Sequence, residues 1–240
     1  MLTILFRNPH WIAIDKPAGL LVHRSDIDRH ETRFAVQMLR DQIGQVVQPV
    51  HRLDKGTSGV LVFALDDVAN RILSRQFEMN TVEKTYLAVV RGWPRESGRI
   101  DHPLIRQPDD YDRRGTARVE QQACTHFRRL ECVELPFAVD RHATTRYALV
   151  ELSPKTGRHH QLRRHMKHIS HPIIGDATHG KGLHNRFFQQ QFGCHRLLLA
   201  CVELRLRDPI TGEATSIRAV PDQEFMNILN QMGWQDSLLI

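Results

Sequence analysis

The run "GVLVFAL", residues 59–65, constrains the fold more than any other stretch of the chain. It is short, carries no charge, and is rich in Val and Leu, so it reads as a buried strand. Turn signals and similar runs surround it. "LTILF" and "WIAI" flank a break at "DKPAG", where Pro17 and Gly19 interrupt any helix, and they read as paired strands. "VEKTYLAVVRG" reads as a strand over residues 82–91 stopped by Gly92, and "TTRYALVELSP" as another ending at Pro154. "RLLLACVELRLRD" and "ATSIRAV" face each other across "PITGE", a hairpin signature.

Helical spacing is confined to a few segments. Phe34, Met38, Leu39 and Ile43 predict a helix over 32–43 with Thr32 as its cap. A second helix spans 66–79, with Asp66 and Asp67 near its positive end, and "QEFMNILNQMGW" forms a last one. Residues 103–121 carry charge, Pro and Gly without period, which suggests an exposed loop or hairpin. Hairpin-joined strands outnumber β-helix-β alternations. The expected class is therefore α+β, with a large, mixed, mainly antiparallel sheet and flanking helices, in one domain spanning 1–240.

Charge narrows the partner. Lys and Arg outnumber Asp and Glu by 33 to 27, a net charge of +6 before any of the 15 His is protonated, which suits a polyanion. The four cysteines form no C-x-x-C pair, so reduced thiols are expected. Arg7, Asn8 and Pro9 come too early for a signal peptide, and no apolar run approaches the roughly 18 residues of a membrane span. A cytoplasmic protein without membrane association is expected.

The positive charge is concentrated in "PKTGRHHQLRRHMKHISHPIIGD". Lys155, Arg158, Arg163, Arg164 and Lys167 are joined there by His159, His160, His165, His168 and His171, with no acid before Asp176. Such a block suits phosphate contact. A helix starting near Gly157 aligns Leu162, Met166 and Ile169 in one apolar stripe and fans the basic residues over its other faces. A solvated charged helix face is the bland alternative. A metal site is disfavoured, because His160, Gln161 and Arg164 imitate H-E-x-x-H with the Glu and the second His replaced.

One acid stands against this basic background. In "VHRLDKGTSG", an extended segment over 50–54 places Arg52 and Asp54 on one face, where the guanidinium holds the carboxylate ionised. An ordinary ion pair beside a turn explains that much. A lone carboxylate in a polyanion groove repels phosphate, however, unless it performs chemistry.

These residues also carry a likeness. "HRLDKGTSG" resembles the signature of the RluA-type pseudouridine synthases. "DKPAGLLVH" is similar to that family's first motif, "EKTYLAVVRG" to its Lys-x-Tyr-x-Ala strand, and "LSPKTGRHHQLRRH" with "HPIIGD" to its third block. The four occur in the family's order across nearly the whole chain.

The resemblance implies a pseudouridine synthase fold with a central RNA cleft. It implies isomerisation of a uridine by Asp54, with Arg163 pairing that acid and Tyr86 stacking on the target base. Arg52 is implied to fill the space left by an everted base. Lys155, Arg158, His160, Arg164 and Lys167 are expected on RNA. No metal or organic cofactor is implied. Details of the motifs point toward tRNA-modifying members acting at position 65, working as monomers, and no N-terminal S4 module is expected. A ribosomal RNA-modifying member, a non-catalytic RNA binder on this fold and a His-rich metal-dependent RNA hydrolase remain as alternatives. The sequence departs from the family's pattern at Ala200-Cys201, where His-Ala is common, and at His159, where Thr or Ser is frequent.

Overall fold

The computed structural model describes residues 1–24, 31–106 and 119–234. In chain order the elements are β1 (Thr3–Arg7), β2 (Trp11–Lys16), α1 (Ala35–Ile43), β3 (Gln48–Pro49), β4 (Ser58–Ala64) and α2 (Asp67–Glu78). Then follow β5 (Glu83–Arg91), β6 (Ser97–Asp101), β7 (Leu104–Ile105), β8 (Glu120–Gln121), β9 (Cys124–Leu135) and β10 (Thr145–Pro154). The chain continues with α3 (Gln161–His168), α4 (Gly182–Phe192), β11 (Leu199–Arg207), β12 (Ala214–Arg218) and α5 (Gln223–Gln231).

Ten strands form one sheet in the order β1-β2-β4-β11-β5-β10-β9-β6, with β12 beside β11 and β3 beside β4. Among the described strands of this sheet, only β4 and β11 pair in parallel; the other ladders are antiparallel. This is the mixed, mainly antiparallel α+β sheet expected from the hairpin signals. "GVLVFAL" supplies β4, every residue of which is buried.

Alternation along β5 divides the core. Tyr86, Ala88 and Val90 join the cluster that includes Leu162 and Met166 of α3, while Leu87 and Val89 face Phe188 of α4 and Phe225, Ile228 and Leu229 of α5. Tyr86 thus shares a sheet face with α3, and the apolar stripe of Leu162, Met166 and Ile169 is what seats that helix.

Several local expectations need correction. Thr32 does not cap α1: the helix starts after an extended Phe34, and the amides of Ala35 and Val36 donate to the carbonyls of Leu21 and Val22. Backbone partners satisfy those free donors, so no side-chain cap is required. Asp66 does cap α2, accepting from the Ala69 amide at 2.8 Å. At the two ends of residues 103–121, β7 pairs with β8, in keeping with the loop-or-hairpin expectation, and residues 107–118 lie outside the described residues. Neither β9 nor α4 is announced by local spacing.

The parallel β4–β11 contact is unusually close. Gly59 has φ +107, and a Cβ there would lie 2.0 Å from the Cys201 carbonyl oxygen. Only glycine tolerates both that conformation and that approach. Gly59→Ala is expected to destabilise the protein by about 3 kcal/mol or more, lowering the melting temperature by about 6–12 °C. A melting temperature within about 2 °C of wild type contradicts this packing.

Candidate active site

The loop before β4 carries Asp54 and is held from both sides. Leu53 is buried in the core. On the other flank the Lys55 carbonyl accepts from the Gly19 amide at 2.8 Å and from Lys16 Nζ at 3.2 Å. Lys16 is fully buried, and its Nζ also donates to the carbonyls of Pro17 (2.9 Å) and Leu20 (2.7 Å). One ammonium therefore ties the "DKPAG" turn to the acid's loop. Burial, then Arg196, pulls the Lys16 pKa down to about 7.

Asp54 is not on a strand, and Arg52 is not its partner. Residues 50–54 run without strand pairing, and Arg52 is exposed on the rim of the cleft. The guanidinium that reaches Asp54 comes from α3: Arg163 Nη1 donates to Asp54 Oδ2 at 3.1 Å. The same guanidinium grips a second acid in bidentate fashion, with Nε to Asp176 Oδ2 and Nη2 to Asp176 Oδ1, both at 2.8 Å. Asp176 in turn accepts the amides of Thr178 and His179, each at 2.9 Å.

The charge balance follows from these contacts. Burial opposes the Arg163 charge, but the Asp176 bonds and charge, then Asp54, carry its pKa above the usual guanidinium value. Burial likewise works to raise the Asp176 carboxyl, and its bonds to Arg163 and His179 more than offset this, leaving it below the ordinary value. Asp176 escaped the sequence reading as a site residue. The available signal was its place as the first acid after a long basic block.

Tyr86 lines the same cleft as Asp54, Arg163, Arg52 and Lys84, a cavity of about 280 Å³. Desolvation, then the neighbouring Cys201 and Asp54, lifts its phenol well above the ordinary tyrosine pKa, so it stays protonated at neutral pH. Cys201 is buried on β11 directly opposite Tyr86, and its thiol contacts the Glu203 carbonyl at 4.0 Å. The departure from the His-Ala pattern thus puts Ala200 in the core on one face of the sheet and Cys201 across from Tyr86.

The basic block is divided in role. α3 starts at Gln161, later than Gly157, because His160 takes a left-handed conformation (φ 52) at the helix entrance. That backbone is costly for a residue other than Gly, and here it turns the imidazole toward Asp54, with Nε2 at 3.7 Å from Oδ2. Burial lowers the His160 pKa to about 4, outweighing the opposite pull of Asp54, so the ring is neutral. Gln161 is a structural hub. It accepts from Thr156 Oγ1 and the Arg158 amide and donates to the Cys124 carbonyl and Thr125.

His165 is buried between Thr125 and the His102 carbonyl, and His171 bonds the Arg91 carbonyl, so neither faces a phosphate. Arg158 and Arg164 each give one donor to a backbone carbonyl, of Gln122 and Ile105. Lys155 and Lys167 are exposed. His51 is not basic here: its Nε2 accepts the Val62 amide at 3.0 Å, and burial pushes its pKa down to about 3. A second, larger cleft of about 900 Å³ shares Asp54, Arg52, His160 and Arg163 with the first, so the acid stands where the two open into each other.

The chain is similar to known proteins over most of its length. The family model described as RNA pseudouridylate synthase matches residues 10–168. The tRNA pseudouridine synthase C of Vibrio cholerae is 50% identical over 242 residues, covering 100% of this chain and 99% of that protein. Its namesake in Haemophilus ducreyi is 51% identical over 234 residues, covering 97% and 96%. Among solved structures, Human RNA Pseudouridylate Synthase Domain Containing 1 superposes with a TM-score of 0.70 at 26% identity, over 92% of this chain and 84% of that one.

The depressed Asp176 carboxyl adds stability that is fully present above its unfolded pKa of about 3.9 and is lost as pH falls through its lower folded value. Asp176→Asn should therefore show a flatter stability curve than wild type between about pH 5 and pH 2 in denaturant titrations. Identical curves for the two proteins rule out a charged Asp176–Arg163 pair.

Proposed function

The chain belongs to the RNA pseudouridylate synthase family, and on that premise we propose that it converts one uridine of tRNA, at position 65, to pseudouridine. The observation that carries the reading is Asp54, a half-buried carboxylate aimed by Arg163, beside Tyr86 in a cleft rimmed by cations. The tRNA address is supported by the names of the full-length relatives at about half identity. It acts as a monomer in the cytoplasm. No described helix is long and apolar enough to cross a membrane.

The reaction breaks the bond between C1′ and N1, turns the uracil, and rejoins it to C1′ through C5. The proton on C5 leaves and N1 gains one, so no electrons are exchanged with a cofactor. Asp54 meets the sugar–base junction as a nucleophile, as a base for a sugar proton, or as the counter-charge to a C1′ cation, and an ionised carboxylate suits each role. Arg163 keeps it aimed, and its second acid stops the guanidinium from swinging away. Tyr86 offers a flat, neutral ring for the uracil to stack on and a hydroxyl near the base late in the reaction.

A uridine in a stem reaches this acid only when everted, at a cost of a few kcal/mol. Arg52, exposed on the rim, fills the vacated stack. Lys155 and Lys167 on the exposed face, with Arg158, His160 and Arg164 nearer the cleft, contact the RNA around the everted nucleotide.

Two outcomes are expected. Asp54→Asn should bind tRNA like wild type yet release no tritium from 5-tritiated uridine; full release by this variant ends the assignment. Removing Lys155 or Lys167 should weaken tRNA binding and reduce the slope of log K against log salt by about 1 each. A slope unchanged in both variants removes them from the RNA interface.

A further inference from the structure

Imidazoles crowd Asp54 as well as Arg163, and the nearer of them approaches Oδ2, the oxygen that the guanidinium also engages. His160 Nε2 stands 3.7 Å from Asp54 Oδ2, beyond hydrogen-bond range. His159 stacks on His160 with ring centroids 3.7 Å apart and planes at 25°. One donor atom from each of Asp54, His159 and His160 lies within 4.8 Å of the other two. The remaining nitrogen of His160, Nδ1, meets His179 Nε2 at 3.1 Å.

Two imidazoles and one carboxylate form a donor set for zinc and its first-row neighbours. Bond lengths near 2.0–2.1 Å put neighbouring ligand atoms of a tetrahedral zinc about 3.4 Å apart. The His160–Asp54 edge already approaches that value, and side-chain rotation closes the remainder. The His160–His179 contact supplies the outer hydrogen bond that commonly fixes the tautomer of a metal-binding imidazole. Arg163 is the obvious objection, since it brings positive charge to the same carboxylate. Its charge is matched by the bidentate Asp176, so the three groups together still carry one negative charge.

We propose that Asp54, His159 and His160 form an inhibitory site for a transition-metal dication of the zinc type, which switches the enzyme off by ligating its reacting carboxylate. The ion plays no part in the isomerisation; bound, it takes Asp54 out of use and blocks the cleft to the everted base. Binding depends only on the cluster, whereas the inhibitory consequence rests on the role of Asp54 proposed above.

The test uses the full-length protein, stripped with EDTA and free of RNA. Cobalt(II) chloride is titrated while visible absorption is recorded, and zinc chloride is titrated by calorimetry. One saturable ion per chain is expected. His159→Ala and Asp54→Asn should each weaken it by about tenfold or more. His168→Ala tests the rival His102–His168 stack, centroids 3.8 Å apart, and should leave the affinity unchanged. No saturable binding, or binding lost in His168→Ala but kept in both His159→Ala and Asp54→Asn, overturns the proposal.

Zinc should also stop pseudouridine formation reversibly, with EDTA restoring it. If the stripped enzyme makes no pseudouridine in the first place, the functional reading fails while the cobalt titration still judges the site. Saturable binding without inhibition overturns the regulatory role.

Discussion

A single guanidinium held between two carboxylates organises this molecule's working end. Arg163 reaches Asp176 with two donors and Asp54 with a third. The division is unequal, and that inequality matters. The bidentate side, closed by the amides of Thr178 and His179, is a fixed anchor; the single bond to Asp54 orients the acid while leaving most of its lone pairs for a substrate. A buried arginine with one acid would either saturate that acid or wander from it. Two acids let it stay charged while holding Asp54 by a single bond.

The rest of the fold delivers these groups to one place. Seating α3 by its apolar stripe sets the height of Arg163, the β5 alternation puts Tyr86 on the same side of the sheet, and the Lys16 ammonium clamps the Asp54 loop against the first turn. The close β4–β11 contact at Gly59 then brings Cys201 over Tyr86. Four segments distant in sequence meet because each is bound to the sheet by a different interaction: apolar packing, pleat, ammonium and glycine.

What the sequence made legible follows the same physics. Continuous apolar runs announced β4, β5, β10 and β11, since a strand buried on both faces has to be apolar, and Asp66 announced the start of α2. β9 was not legible because only Thr125 and Phe127 of it are buried and charges run through the rest, as in "CTHFRRLECVEL". Around the site, residue types and motif likeness singled out Asp54, Tyr86 and Arg163. The spacing argument for an Arg52–Asp54 pair failed because it assumed an extended strand, and the loop instead turns Arg52 outward. Asp176 and Lys16 stayed hidden because their roles depend on partners that local spacing does not reveal. The basic block misled in part for the same reason. A run of histidines looks uniform in sequence, yet burial makes His165 and His171 structural and turns His160 toward the acid.

The most direct test of the central claim is a crystal structure of the protein bound to a tRNA T-arm carrying 5-fluorouridine at position 65. The account predicts the modified base everted into the cleft against the Tyr86 ring, its sugar beside Asp54, with the Arg163–Asp176 pair unbroken. A base left in its stack, or a bound nucleotide whose nearest carboxylate is any residue other than Asp54, contradicts it.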